Sequence, residues 1–151
     1  MLNLPPVIAE ACKPLFDTLP LDQAMPHLLG SHPCHTALVE SITQHPDIAK
    51  SSELVAGLWL YVDDLDRSHV VSQGIEDTTG SYWHGIMHRR EGDFRNSRYW
   101  HIRASGHPLL KSQNGLVTEV EQAQGQDLPE LLTKQREEWK ALFEWCAKKS
   151  K

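Results

Sequence analysis

Cysteine is scarce and scattered: Cys12, Cys34 and Cys146 are the only 3 in 151 residues. An odd number at wide spacing excludes a disulfide framework and a Cys-type zinc knuckle, and leads us to expect a reducing, cytoplasmic setting. Long apolar runs are also missing. The longest, Leu54 to Val62, is far shorter than the ~20 residues a helix needs to cross a bilayer, so no membrane partner is expected. No basic stretch followed by an apolar one opens the chain, so no secretory leader is expected either. There is no strand series of period two, no βαβ alternation and no internal repeat. A Gly-rich phosphate loop is absent, and Ser81 lacks the Gly-x-Ser-x-Gly elbow of a hydrolase nucleophile.

Positive charge is thin over much of the chain. Residues 1–81 hold three basic residues (Lys13, Lys50, Arg67) against eleven acidic ones, a balance of −8. Residues 82–107 reverse this to +3, with Arg89, Arg90, Arg95, Arg98 and Arg103 against Glu91 and Asp93. Residues 108–151 are neutral, and the whole chain carries −5. The basic segment can dock on the acidic half of its own domain, so the asymmetry does not argue for nucleic acid, which the net charge disfavours. With 40% hydrophobic and 23% charged residues the composition is globular, and the length fits one domain, 1–151.

Within it three parts are expected. Residues 1–50 carry seven prolines from Pro5 to Pro46, so only short helices are expected there, over Val7–Phe16 and Cys34–Thr43. Residues 52–107 begin with Ser51 or Ser52 as a cap, followed by a stripe of Leu54, Leu58, Tyr61, Val62 and Leu65 that predicts one continuous helix ending before Gly74. Ser81 is the expected cap of a helix over Tyr82–Glu91, and Asp93 of another over Phe94–Ala104. Residues 109–126 are weakly patterned. The spacing of Asp127 and Glu130 predicts a capping box opening a helix over 127–148, with Glu144 and Lys148 paired on its outside. The fold expected is all-α: a single compact helical domain, an irregular bundle.

The densest chemistry lies in Tyr82–Phe94. On a helix, His84 and His88 stand one turn apart on one face, and Glu91 extends it. Asp66 and His69, an i, i+3 pair, are candidates to complete the set from the preceding helix. Neutral imidazoles with carboxylates suit a divalent metal, zinc, iron or nickel. The zinc-protease motif is excluded, because no Glu follows His84. His32, His45 and His107 each precede a proline and are expected in loops. A competing reading needs no metal: Arg89, Arg95 and Arg98 would grip an anionic group while Trp83, Tyr99 and Trp100 stack a flat or sugar-like ligand. A third makes the segment a buried polar network with Arg89, Arg90 and Arg103 paired internally to Asp63, Asp64, Asp66 and Glu91.

The runs Asp64–His69, Ser72-Gln73, Tyr82–Phe94, Asn96, Tyr99-Trp100 and Gly106-His107-Pro108 resemble a family of uncharacterised, mainly bacterial proteins. The resemblance spans residues 54–108 and implies no activity. The expected partners are a small anionic or polar molecule and a second copy of the chain in a homodimer. The leading expectation is a small metal-dependent enzyme or sensor.

Overall fold

The computed structural model describes residues 2–112 and 114–149. Among the described residues every regular element is a helix, which makes the fold all-α. None is long and apolar enough to cross a membrane. Helix α1, Pro6–Thr18, begins with proline in its first turn, where the missing N–H is no loss. It runs through Pro14 and is longer than the proline count suggests, because Pro14 lies on the exposed face. Water can bond the carbonyl that the proline leaves free. Ile8, Cys12 and Leu15, at i, i+4 and i+7, bury the other face. Two short helices follow, α2 (Thr36–Ile42) and α3 (Pro46–Ala49).

The expected helix from Ser52 to before Gly74 is two helices. Helix α4, Ser52–Tyr61, is capped by the Ser51 hydroxyl accepting from the Leu54 N–H. It is buried nearly all round, with the Trp139 indole donating to the Gly57 carbonyl at 2.8 Å. Gly57 lets its neighbours approach: a Cβ there would stand 2.8 Å from the Trp83 ring and 3.0 Å from Phe143. The chain then breaks at Val62–Asp64, and Asp63 takes a left-handed conformation with φ +63°. Its buried carboxylate pairs with Arg90, and Asp64 caps helix α5, Leu65–Ser72, by accepting from the Arg67 N–H. A distant arginine thus meets the chain at a break that local periodicity does not predict.

Helix α6, Thr78–Glu91, is capped by Asp77 accepting from the Gly80 N–H, four residues before the expected Ser81. Every residue from Thr79 to Arg90 is buried. Such burial normally belongs to helices that are apolar all round, yet α6 carries two histidines and two arginines inside it. Gly92, at φ +89°, ends it. Helix α7, Phe94–Arg103, is capped by Asp93 accepting from the Asn96 N–H, as expected.

Residues 117–122, Val117–Gln122, form α8, and the last helix, α9, runs over Pro129–Lys149. Its buried face carries Leu131, Gln135, Trp139, Leu142, Phe143 and Cys146. Asp127 is bound elsewhere: its carboxylate accepts from the Leu28 N–H at 2.8 Å and from His27 Nδ1 at 2.7 Å, tying the N-terminal loop to the start of α9. Glu144 accepts from the Asn3 N–H at 2.6 Å, and it is Lys149 that reaches Glu53, at 2.9 Å. One large core gathers α1, α4, α6 and α9, and a smaller one, Leu28, Val120, Ala123 and Leu131, closes the α8 end. All three cysteines are free thiols.

Candidate functional site

Helix α6 packs against α5, α7 and α4. The face turned to α5 and α7 carries His84, His88 and Glu91. His69, from α5, brings its ring to 4.8 Å from His84 and 5.3 Å from His88, centroid to centroid. The His84 and His88 rings are themselves stacked at 4.8 Å. One ligand atom from each of these three residues lies within 4.8 Å of those of the other two, a spacing that could hold a metal ion. His88, Glu91 and Asp93 form a second group of the same kind, sharing His88. The convergence of His69 with His84 and His88 is the one that sequence spacing predicts. Asp66 is exposed on α5 and joins neither group.

Burial sets the protonation of the central ring. His84 is 3% exposed, and desolvation, helped by His88 and His69, pushes its pKa down to about 3. At neutral pH it is therefore uncharged, with a lone pair free for a ligand. Its Nδ1 is buried and has no hydrogen-bond partner among the described residues. His88 has a partner: its Nδ1 lies 2.6 Å from Glu91 Oε1, one helical turn on. Trp100, from α7, covers His84, with the two rings 3.8 Å apart and 12° from parallel.

The arginines and aromatics proposed as a ligand grip do not converge in this way. Arg89 is fully buried and pairs with Glu138 of α9 at 2.8 Å, on a different side of α6. Trp83 is fully buried in the core beside Gly57. Arg98 pairs with Glu121 at 2.6 Å. Arg103 lies over Trp100 and Tyr99, at 5.2 Å and 5.8 Å from their ring centres. Arg95 and Tyr99 are exposed on α7, and Trp100 is half-buried. Of the internal pairs expected, Arg90 with Asp63 is present, and Arg90 also donates to the Leu60 carbonyl at 3.0 Å.

Three residues carry more than sequence reasoning gave them. Asp93 is both the α7 cap and a member of the second group. Glu138 answers the Arg89 charge, and the Tyr82 hydroxyl donates to it at 3.4 Å. His101 is fully buried with neither ring nitrogen bonded among the described residues, and desolvation and Arg89 push its pKa down to about 3. The i, i+3 and i, i+7 spacings of Tyr82, Gly85 and Arg89 were the available signal for this second polar face. Two of the pre-proline histidines hold their own local turns. His45 and His107 each accept at Nδ1 from the N–H two residues on, at 3.2 Å in both cases.

A surface groove of about 740 Å³ lies between α1 and α9, lined by residues such as Leu2, Leu4, Phe16, Leu21 and Arg136, and it contains none of the histidines. Volume and chemistry therefore disagree on where a site lies, and the convergence of chemical groups is the better guide for a metal. Comparison with known proteins finds no match: no family model, no curated protein and no solved structure is significantly similar to this chain.

Proposed function

We propose that this chain binds one divalent cation through His69, His84 and His88, and works as a small metal-dependent enzyme or sensor. The supporting observation is His84. A neutral, buried imidazole has lost water at Nδ1 and has no partner among the described residues, while two further imidazoles stand beside it. A buried polar atom without a bond costs about 1–3 kcal/mol, and a cation is one partner that would supply the bond. Nitrogen donors favour zinc, with iron or nickel as alternatives. Bound there, the metal would polarise a water or a polar substrate. Free thiols at Cys12, Cys34 and Cys146 fit a reducing compartment such as the cytoplasm.

Zinc titration of protein made without a His tag, with calorimetry and elemental analysis, tests the proposal. One equivalent bound by the natural protein, and lost in both His84→Ala and His88→Ala, is the result expected. Substoichiometric metal that neither substitution changes would overturn it.

The exposed Tyr99 ring, 5.3 Å from Trp100, favours a second reading, a metal-free module whose ligand stacks on α7 beside Arg95. On that reading chelators leave thermal stability unchanged, and Arg95→Ala or Trp100→Ala removes stabilisation by an anionic or sugar-like ligand.

A further inference from the structure

The two groups that could hold an ion share His88, so the part played by the carboxylates decides what kind of centre this would be. If Glu91 or Asp93 ligates, the cation is enclosed by four protein donors, as in structural sites. If neither does, three nitrogens hold it and one position stays open, as in catalytic sites.

Asp93 is already engaged in capping α7. One carboxylate oxygen accepts from the Asn96 N–H at 3.1 Å and the other from Asn96 Nδ2 at 2.7 Å, and both bonds hold the first turn of α7. Glu91 is engaged as well, by His88 Nδ1 at 2.6 Å. An ionised carboxylate only accepts hydrogen bonds, so the proton of that bond sits on Nδ1. That leaves the lone pair of His88 on Nε2. The Gly92 turn fixes the arrangement, since the Asp93 N–H donates to the His88 carbonyl at 2.9 Å and ends the helix just beyond Glu91.

We infer that Glu91 is a positioning residue and not a ligand: it holds His88 as the Nδ1–H tautomer, so that a cation on His69, His84 and His88 keeps one open position for a small anionic donor. This rests on the metal reading above. Histidine ligands commonly donate their second N–H to a carboxylate in this way, and losing that partner costs 10–100-fold in metal affinity. The molecule exchanging at the open position would be a water or hydroxide, or a small anion offering oxygen or nitrogen.

Cobalt(II) replaces zinc as a coloured probe, and azide and acetate serve as the anions. The natural protein loaded with cobalt should change its visible spectrum when azide or acetate is added. Glu91→Ala should weaken cobalt binding 10–100-fold and keep that anion response. Glu91→Gln, whose carbonyl can still accept from Nδ1–H, should recover most of the affinity. Nitrogen-15 spectra of the metal-free natural protein should show His88 protonated on Nδ1, with the two tautomers mixed in Glu91→Ala.

A spectrum indifferent to both anions, or equal loss of affinity in the Gln and Ala variants, would overturn the inference, as would an Nε2–H tautomer of His88. Failure of cobalt to bind the natural protein would overturn the metal reading and the open position with it. The tautomer measurement needs no metal and judges the Glu91–His88 relationship by itself, even if Glu91→Ala fails to fold.

Discussion

The Trp100 ring lies flat on the His84 ring, 3.8 Å away and 12° from parallel, with the Arg103 guanidinium also over the indole, 5.2 Å from its centre. Helix α7 thereby covers the imidazole on which the proposed site depends, and stacking fixes the plane of that ring.

Removing this cover should loosen both the fold and the site. Trp100→Ala should lower stability by about 1–3 kcal/mol, the usual range for deleting a packed side chain. Trp100→Phe, which keeps a flat ring, should recover most of the loss. Urea denaturation of the three proteins measures this. Equal midpoints for the Ala variant and the natural protein would show that the stack contributes nothing.

The buried pair of Arg89 and Glu138 should be sensitive to the loss of one partner and tolerant of losing both. Arg89 is fully buried, and Glu138 gives it its only charged contact, at 2.8 Å, among the described residues. Glu138→Leu leaves that charge uncompensated and should cost about 3–5 kcal/mol. The double substitution Arg89→Met with Glu138→Leu should regain most of it, because an apolar pair of similar volume has no charge to desolvate. Chemical denaturation of the single and double variants decides this, and additive losses would contradict it.

Stability should fall on mild acidification, partly through His101. Its folded pKa is pushed down to about 3, below the usual unfolded value near 6.5. The unfolded chain therefore takes up the proton first. The full contribution is present above pH 6.5 and shrinks as pH falls toward 3, at up to about 1.4 kcal/mol per pH unit. His101→Leu should flatten the stability profile between pH 6.5 and 5 by up to about 2 kcal/mol. At pH 7 it should be close to neutral or stabilising, since neither ring nitrogen has a partner among the described residues. Urea midpoints at several pH values give the slope, and an unchanged slope in the Leu variant would remove His101 as its cause.

Local chemistry made part of this legible in the sequence. The Asp93 cap, the Gly92 stop and the one-turn spacing of His84, His88 and Glu91 act within a few residues, so the short pattern predicted α7, the end of α6 and one face of the site. His69 could be proposed because the helix before α6 must pack on it. Apart from the α6 cap, which is Asp77 and not Ser81, the misses involve partners far apart in the chain. The break between α4 and α5 was unforeseen, although the pair that accompanies it, Arg90 with Asp63, 27 residues apart, was among those expected. Glu138 is 49 residues from Arg89, in a segment whose neutral charge gave no hint of it. Asp127 looked like a helix cap, yet it is bound by Leu28, 99 residues away. Periodicity reports which face is buried and is silent about what that face meets.

Close approach of α6 and α7 depends on Gly85. A Cβ built there would overlap the His101 ring, and the Gly85 carbonyl accepts from the Ser97 hydroxyl at 2.6 Å, which ties the same two helices together. In an exposed helix, Gly→Ala would stabilise by roughly 0.5–1 kcal/mol. Here the overlap forces α6 and α7 apart or pushes His101 from its place, and overpacking of that kind costs typically 1–3 kcal/mol. Gly85→Ala should therefore destabilise. If the clash is with the His101 ring, removing the ring should relieve it: Gly85→Ala with His101→Ala should be less destabilised than the sum of the two single variants, by about 0.5–3 kcal/mol of coupling. Denaturant unfolding of the four proteins measures that coupling. A value near zero would mean that α6 and α7 adjust around the methyl group, and that Gly85 is not what sets their separation.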